Sequence, residues 1–363
     1  MSFTVGEKIK LSIFGQSHAP AIGGVIDGLP SGESLDIAAI ERFLARRSPG
    51  GSPLATARRE SDVPEVLAGL TDGKTCGAPL AFVIRNADVR SNDYGQFHNI
   101  PRPSHSDFPA IIKYGEAHDI RGGGFFSARL TAALCFAGAA ALQLLERRGI
   151  RVGAHIAELA GVKDSRFDAV NLTESELLLP SSRVFPVLDE AAGEKMQAAI
   201  LEAKREGDSV GGVVECAAIG LPAGLGEPLF SGAESKIAQL IFAIPAVKGL
   251  EFGEGFGISA LRGSQANDRY CEPQGAALRC ESNNNGGILG GLTTGMPLVL
   301  RAAFKPTPSI AREQLTWSRS SKRQEPLVIP GRHDPCVVPR AVPCVEAALA
   351  LALLDLLCLS SNA

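Results

Sequence analysis

Arginines, histidines, aspartates and a triple glycine crowd one stretch of this chain, Arg102 to Arg129, which reads RPSHSDFPAIIKYGEAHDIRGGGFFSAR. Arg102, His105, Arg121 and Arg129 stand close in sequence to Gly122, Gly123 and Gly124. Glycines let backbone N–H groups approach a ligand and form an anion-cradling nest. The apolar helix expected next points its positive end at the same place. The mix reads as the floor of a site for a multiply charged anion, with a solvated glycine-rich loop as the plainer alternative.

Three further stretches carry reactive side chains. Gly15-Gln16-Ser17-His18-Ala19-Pro20 puts a hydroxyl and an imidazole at the tip of a turn. Arg46-Arg47-Ser48-Pro49-Gly50-Gly51 is followed by Arg58-Arg59-Glu60-Ser61-Asp62. Four arginines around one loop fit a lid that closes over a phosphate, although Arg46 and Arg47 would also suit a helix C-terminus. Gly331-Arg332-His333-Asp334-Pro335-Cys336 offers Arg, His and Asp in succession, and these cannot all point one way.

The elements that must hold these residues follow from apolar periodicity and glycine punctuation. Strands are expected at Ile9 to Phe14, Ile22 to Ile26, Leu80 to Ile84, Arg151 to Val162, Gly211 to Ile219, Gly257 to Arg262 and Met296 to Phe304. Helices are expected from a Ser34 or Asp36 cap through Arg47, from Arg129 to Arg148, Glu190 to Arg205, Glu234 to Ile244, and Pro343 to Leu359. The helix from Arg129 should bury one side, marked by Leu130, Leu134, Ala137, Ala141 and Leu144. Leu177 to Val187 reads as a surface excursion. Strand, helix and strand recur in both halves of the chain, so a duplicated unit within one domain spanning 1–363 is possible.

The 363 residues suffice for one large domain or two ordinary ones. A net charge of −3 argues against a nucleic-acid partner, so local arginine clusters must attract any anion. The eight cysteines form no CxxC pair and several sit in apolar runs, which reads as reduced thiols in the cytoplasm rather than a zinc site. No secretory signal is visible, and Pro343 to Leu359, which contains Glu346 and Asp355, reads as a core helix rather than a membrane span.

Taken together, GQSHAPAIG at 15–23, RRSPGGS at 46–52, RPSHSDF at 102–108, Arg121-Gly122-Gly123-Gly124 with Ser127-Ala128-Arg129, GSQAND at 263–268, NNNGGILGG at 283–291, KPTPS at 305–309 and GRHDPC at 331–336 resemble the chorismate synthases. The blocks span almost the whole chain in that family's order. The resemblance implies an α/β (α+β) fold, a β-α-β sandwich in which antiparallel sheets form a core wrapped by helices. It implies a homotetramer that eliminates phosphate from 5-enolpyruvylshikimate 3-phosphate, with reduced FMN required although no net oxidation occurs.

The chemistry agrees. A phosphate and two carboxylates need several cations, which Arg47, Arg102, Arg129 and Arg332 can supply. Breaking an unactivated C–H bond calls for a cofactor rather than a side-chain base alone. By the family pattern His18 would protonate the departing phosphate, His105 would sit by the flavin's N1 and O2, and Asp334 would manage a proton near N5. Ser127 would touch the substrate. Phe125, Phe126, Ser127, Pro245, Ala246, Gly290, Lys305, Pro306, Thr307, Pro308, Ser309 and Arg332 would hold FMN. Arg47 and Pro53 would meet NADPH, a possible reductant. The chain departs from the usual pattern at Gln16, at Pro53 and at Phe125-Phe126, where many members carry Glu, Arg and Arg-Ser. His98, His118, His155 and His333 are expected in ordinary structural roles. The rivals are a metal-dependent phosphatase built on His18, His105, His333 and Asp334, and a flavin-binding protein without catalysis. Gly253-Glu254-Gly255-Phe256-Gly257 lacks the strand–loop–helix context of a dinucleotide fold.

Overall fold

The structure, a computed structural model, describes residues 3–48, 54–55, 62–86, 94–274, 277–329 and 333–360. Five strands make the first sheet: β1 Thr4–Val5, β2 Lys10–Gly15, β3 Ala21–Asp27, β4 Pro64–Ala68 and β5 Leu80–Arg85, in the order β1-β2-β3-β5-β4. Every pairing in it is antiparallel. β5 shows the pattern of a half-covered strand, with Leu80, Phe82 and Ile84 buried and the residues between them less so. A second antiparallel sheet contains β6 Arg151–Leu159, β7 Val162–Lys163, β8 Gly212–Ile219, β9 Val247–Phe252 and β10 Leu298–Phe304, in the order β9-β10-β8-β6-β7. Its central strand is buried continuously from Val214 to Ala218, because both faces are covered.

A layer of helices lies between the sheets. α1 (Ile37–Arg47), α3 (Thr131–Glu146) and α6 (Val338–Ser360) pack on one another; α3 rests on β2, β3 and β5, and α6 on β6 and β8. α5 (Ala233–Ile241) joins this layer by packing on α6, while α2 (Asp107–Tyr114) and α4 (Glu190–Arg205) lie outside it. One large apolar cluster runs through the sandwich and includes Ile22, Phe82, Phe136, Ile156, Val214 and Leu349.

Local chemistry explains the helix ends. Asp36 caps α1 by accepting from the Ala39 N–H, 3.0 Å away. Asp189 caps α4 in the same way. α3 differs from the one-sided helix expected, since every residue from Thr131 to Ala141 is buried. Its alanines let α6 approach closely: a Cβ added at Gly138 would lie 2.2 Å from the Ala347 Cβ. Ala128–Glu146, which is α3 with the turn before it, and α6 are long and apolar enough to cross a membrane by composition, yet most of each is enclosed by the fold. The two acids of α6 have specific partners. Glu346 grips Arg46 through two bonds of 2.6 and 2.8 Å. Asp355 accepts the N–H groups of Glu7, Lys8 and Ile9 at 3.0, 2.8 and 2.8 Å.

Two expectations from sequence are corrected. Leu177 to Val187 is no surface excursion: Leu177, Phe185 and Val187 are buried. Leu177 joins Phe167 and Leu172 in covering the outer face of the second sheet, against Ala217 and Val299. Gly257 to Arg262 is not a strand; Gly255–Ala260 forms 3-10 turns with no buried residue, so nothing pairs or packs it into a sheet.

The second sheet also encloses an ionic chain. His155, wholly buried, bonds Asp164 at Nδ1 and Glu215 at Nε2, each at 3.0 Å. Burial disfavours its charged form, but the two carboxylates outweigh this and raise its pKa above the usual 6.5. Its contribution to stability is therefore complete below pH 6.5 and lost as pH rises through the higher folded value. The expected outcome is an unfolding free energy that falls toward alkaline pH, with a shallower fall in His155→Gln; equal slopes in denaturant titrations would remove this role. Gly138→Ala should lower the unfolding free energy by about 1–3 kcal/mol through overpacking against Ala347. An unchanged denaturation midpoint would show that the two helices can part freely.

Candidate active site

The glycine run makes room for a neighbouring turn. Gly122, Gly123 and Gly124 have φ of 58°, 84° and 56°, a region that side chains rarely enter. A Cβ on Gly122 would lie 2.4 Å from His18 Cε1 and 2.5 Å from Ser17 Oγ. The bend thus clears the space that the β2–β3 turn occupies, and the Gly124 carbonyl accepts the Ser17 N–H at 3.1 Å. His18 is buried and meets the Tyr94 ring edge-on, with centroids 5.2 Å apart. The Ser17 hydroxyl beside it is buried with no hydrogen-bond partner among the described residues.

Next to this turn lies a buried charge cluster. Arg47 ends α1, and Arg129 precedes α3 in a turn capped by the Ser127 hydroxyl. Both guanidiniums converge on Asp62, whose side chain is fully enclosed. Arg47 bonds Asp62 Oδ2 through Nε at 3.1 Å and Nη2 at 2.6 Å, and Thr131 Oγ1 through Nη1 at 3.1 Å. Arg129 reaches Asp62 Oδ1 through Nη1, and Asn86 Oδ1 through Nε at 2.8 Å. Burial disfavours the Asp62 carboxylate, but the charges of Arg47 and Arg129 prevail and hold its pKa below the usual value. Arg340, in the first turn of α6, donates to the Arg47 carbonyl at 2.8 Å and pairs with Asp334.

A third group surrounds His105. Its Nε2 lies 2.7 Å from Ser309 Oγ. Lys305 donates to the Ser104 carbonyl at 2.7 Å, and its N–H to the carbonyl of Ala246, which has a positive φ of 75°. Thr307 Oγ1 is buried with no partner among the described residues. Burial, reinforced by the Arg102 charge, pushes the His105 pKa down to about 3. Arg102 is committed to Asp107, with Nε and Nη2 each 2.7 Å from a carboxylate oxygen, and its guanidinium lies over the Phe97 and Tyr94 rings. Tyr94 therefore touches both His18 and Arg102.

These contacts assemble most of the residues singled out in the sequence. His18, the glycine bend, Asn86, Arg129, Asp62, Arg47, Arg340 and Asp334 form one linked series, and His333 lies close enough to His105 to disfavour its protonation. Arg47, Arg102 and Arg129 are buried and bonded within the chain. Phe125 packs edge-on against Phe3, Tyr114 and His118, while Phe126 stays partly exposed. No side chain crowds Gly290, which has φ 61°. Pro306 and Pro308 fall in the turn of Lys305 and Ser309. Arg332, Pro53, Arg58 and Arg59 lie outside the described residues. Sequence reasoning assigned no role to Asp62, Asn86 or Tyr94. The second of two acids after Arg58-Arg59, and an Asn just after a strand, were the available signals.

The chorismate synthase family model matches residues 9–358. The chain belongs to the chorismate synthase family. The chorismate synthase of Korarchaeum cryptofilum is 44% identical over 96% of both chains, and that of Thermococcus kodakarensis 45% identical over 96% of both. A solved chorismate synthase crystal structure superposes with a TM-score of 0.76 at 27% identity, covering 98% of this chain and 93% of the other. The chain is thus a carbon–oxygen lyase acting on a phosphate. It catalyses the 1,4-trans elimination of phosphate from 5-enolpyruvylshikimate 3-phosphate, giving chorismate at the end of the shikimate pathway toward aromatic amino acids.

With its pKa near 3, His105 is neutral at working pH. NMR titration of its ring should show no protonation between pH 7 and about 5; titration near the ordinary 6.5 would contradict the burial and charge described here.

Proposed function

We propose that the elimination runs at the junction of the three groups above, on reduced FMN, with His18, His105 and Asp334 as the proton-handling residues. The reading rests on one observation: the His18 turn, the glycine bend and the Asp62 arginine pair are joined by direct hydrogen bonds and close contacts.

The residues around His105 suit the flavin. Thr307 Oγ1 is buried and unsatisfied, Lys305 is cationic, and Ser309 and Ala246 lie on the same turn system. Burial and the charge of Lys248 lower the Lys305 pKa, which an anion beside both lysines would relieve. Lys305 to Ser309, Ala246 with Pro245, Gly290, Ser127 and the Phe125-Phe126 pair would hold the group, with Arg332 a further contact proposed from its motif. When bound, reduced FMN supplies the electron density that lets the carbon–oxygen bond to phosphate break without net oxidation.

The chain's own residues do the rest. His18 lies against the glycine bend and delivers a proton to the departing phosphate. His105, neutral and fixed at Nε2 by Ser309, keeps Nδ1 as a hydrogen-bonding group. Asp334, steadied by Arg340, would manage a proton beside the bound flavin. Arg47, Arg129 and Arg340 outnumber Asp62 and Asp334, so the cluster keeps a positive excess that draws a trianionic substrate. Arg102 and Ser127 complete the proposed substrate contacts.

NADPH is a candidate reductant, with Arg47 and Pro53 its proposed contacts. A homotetramer of single-domain subunits is proposed too. It would cover exposed apolar side chains such as Phe230 and Phe256; the shared core cluster supports one domain, and two five-stranded antiparallel sheets fit a repeated unit within it. The eight free cysteines fit a cytoplasmic setting.

Phosphate release measured anaerobically, with and without chemically reduced FMN, tests the reading. Release is expected only with the reduced cofactor; release without it would sink the proposal. His18→Ala and His105→Ala should each slow turnover at least about tenfold while FMN still binds. Full turnover in either variant would remove that residue from the proton path.

A further inference from the structure

Asn86 stands directly after β5 and uses both donors and the acceptor oxygen of its side chain. Nδ2 donates to the carbonyls of Gln16 at 3.1 Å and Ala19 at 2.7 Å. Oδ1 accepts Arg129 Nε at 2.8 Å. Its backbone N–H donates to the Pro20 carbonyl at 3.1 Å. Three bonds from one residue thus hold the turn 16–20 at both of its ends. On the opposite side the turn is tied by Ser17 N–H to Gly124, and across itself by Ala19 N–H to Gln16. The His18 ring emerges between these two sets of ties, against Gly122.

The amide can sit only one way round. A guanidinium only donates, so Oδ1 must face Arg129 and Nδ2 must face the two carbonyls. Arg129 is itself anchored on enclosed Asp62. Position and direction therefore pass from the buried ion cluster through one neutral amide to the seat of His18. We propose that Asn86 is a positioning residue that sets the aim of His18 from Arg129, a role that rests on His18 being the proton donor.

An aspartate at 86 would keep the acceptor for Arg129 but turn an oxygen toward the carbonyls of Gln16 and Ala19. The turn would be pushed off its seat while the arginine cluster stayed bonded. Misplacing a proton donor by about 1 Å costs roughly a hundredfold in rate. A residue that merely stabilises the loop would instead lower stability and leave the chemical step alone.

The test is a double-mutant cycle in the full-length enzyme with reduced FMN under anaerobic conditions, with thermal midpoints recorded beside kcat and KM. Asn86→Asp should lower kcat by about a hundredfold with KM little changed. In a His18→Ala background the same change should cost no more than about twofold, because the group it aims is gone. Asn86→Ala, which adds no charge, runs the same cycle should the aspartate variant not fold. Additive losses with His18→Ala, or a loss confined to the thermal midpoint, overturn this proposal alone. Full turnover in His18→Ala overturns it together with the role given to His18.

Discussion

Asp62 is fully enclosed and pairs with two guanidiniums, Arg47 and Arg129, from different parts of the chain. An unpaired carboxylate could not remain ionised in that place, because burial favours its neutral form. Two unpaired arginines facing each other there would repel. The carboxylate holds both in fixed directions, with Ser48 Oγ donating a further bond at 2.7 Å. The cost is that much of each guanidinium's hydrogen-bonding capacity is spent within the chain. On the function proposed above, the gain would be a positive field already oriented before any substrate arrives, which is the electrostatic preorganisation that catalysis exploits.

The sandwich exists, in functional terms, to bring helix ends to that point. Arg47 closes α1, Arg129 leads into α3 and Arg340 lies in the first turn of α6, so the central layer delivers all three to one edge. The close passage of Gly138 by Ala347 sets the spacing of α3 and α6, and Glu346 locks α6 to α1 through Arg46. The first sheet contributes its own edge to the same place. Its β2–β3 turn carries His18, and the end of β5 carries Asn86. The opposite sheet is braced by the enclosed His155 chain and serves as support.

Much of this was legible in the sequence, and the reasons differ by element. α4 was read to the residue because its apolar positions recur at helical spacing up to a glycine that stops them. α3 was read as a helix but not as one buried all round, since alanine marks small size and not the number of neighbours. The reactive side chains were found because His, Arg and Asp beside glycines have few purely structural uses. Their partners were not found, because a hydrogen bond between Asn86 and Arg129 joins residues far apart in sequence. The glycine run was read as a cradle for an anion. In the structure Gly122 is small because His18 and Ser17 lie against it. Gly257 to Arg262 misled because a short, partly apolar run implies a strand only where a partner strand is available.

The most direct measurement is the turnover and stability of Asp62→Asn, assayed together. Removing one partner of a buried ion pair costs about 3–5 kcal/mol, and here two guanidiniums would lose their shared charge. A large fall in phosphate release with a lower thermal midpoint is the expected result. An enzyme of unchanged turnover would contradict the claim that this one carboxylate orients the site.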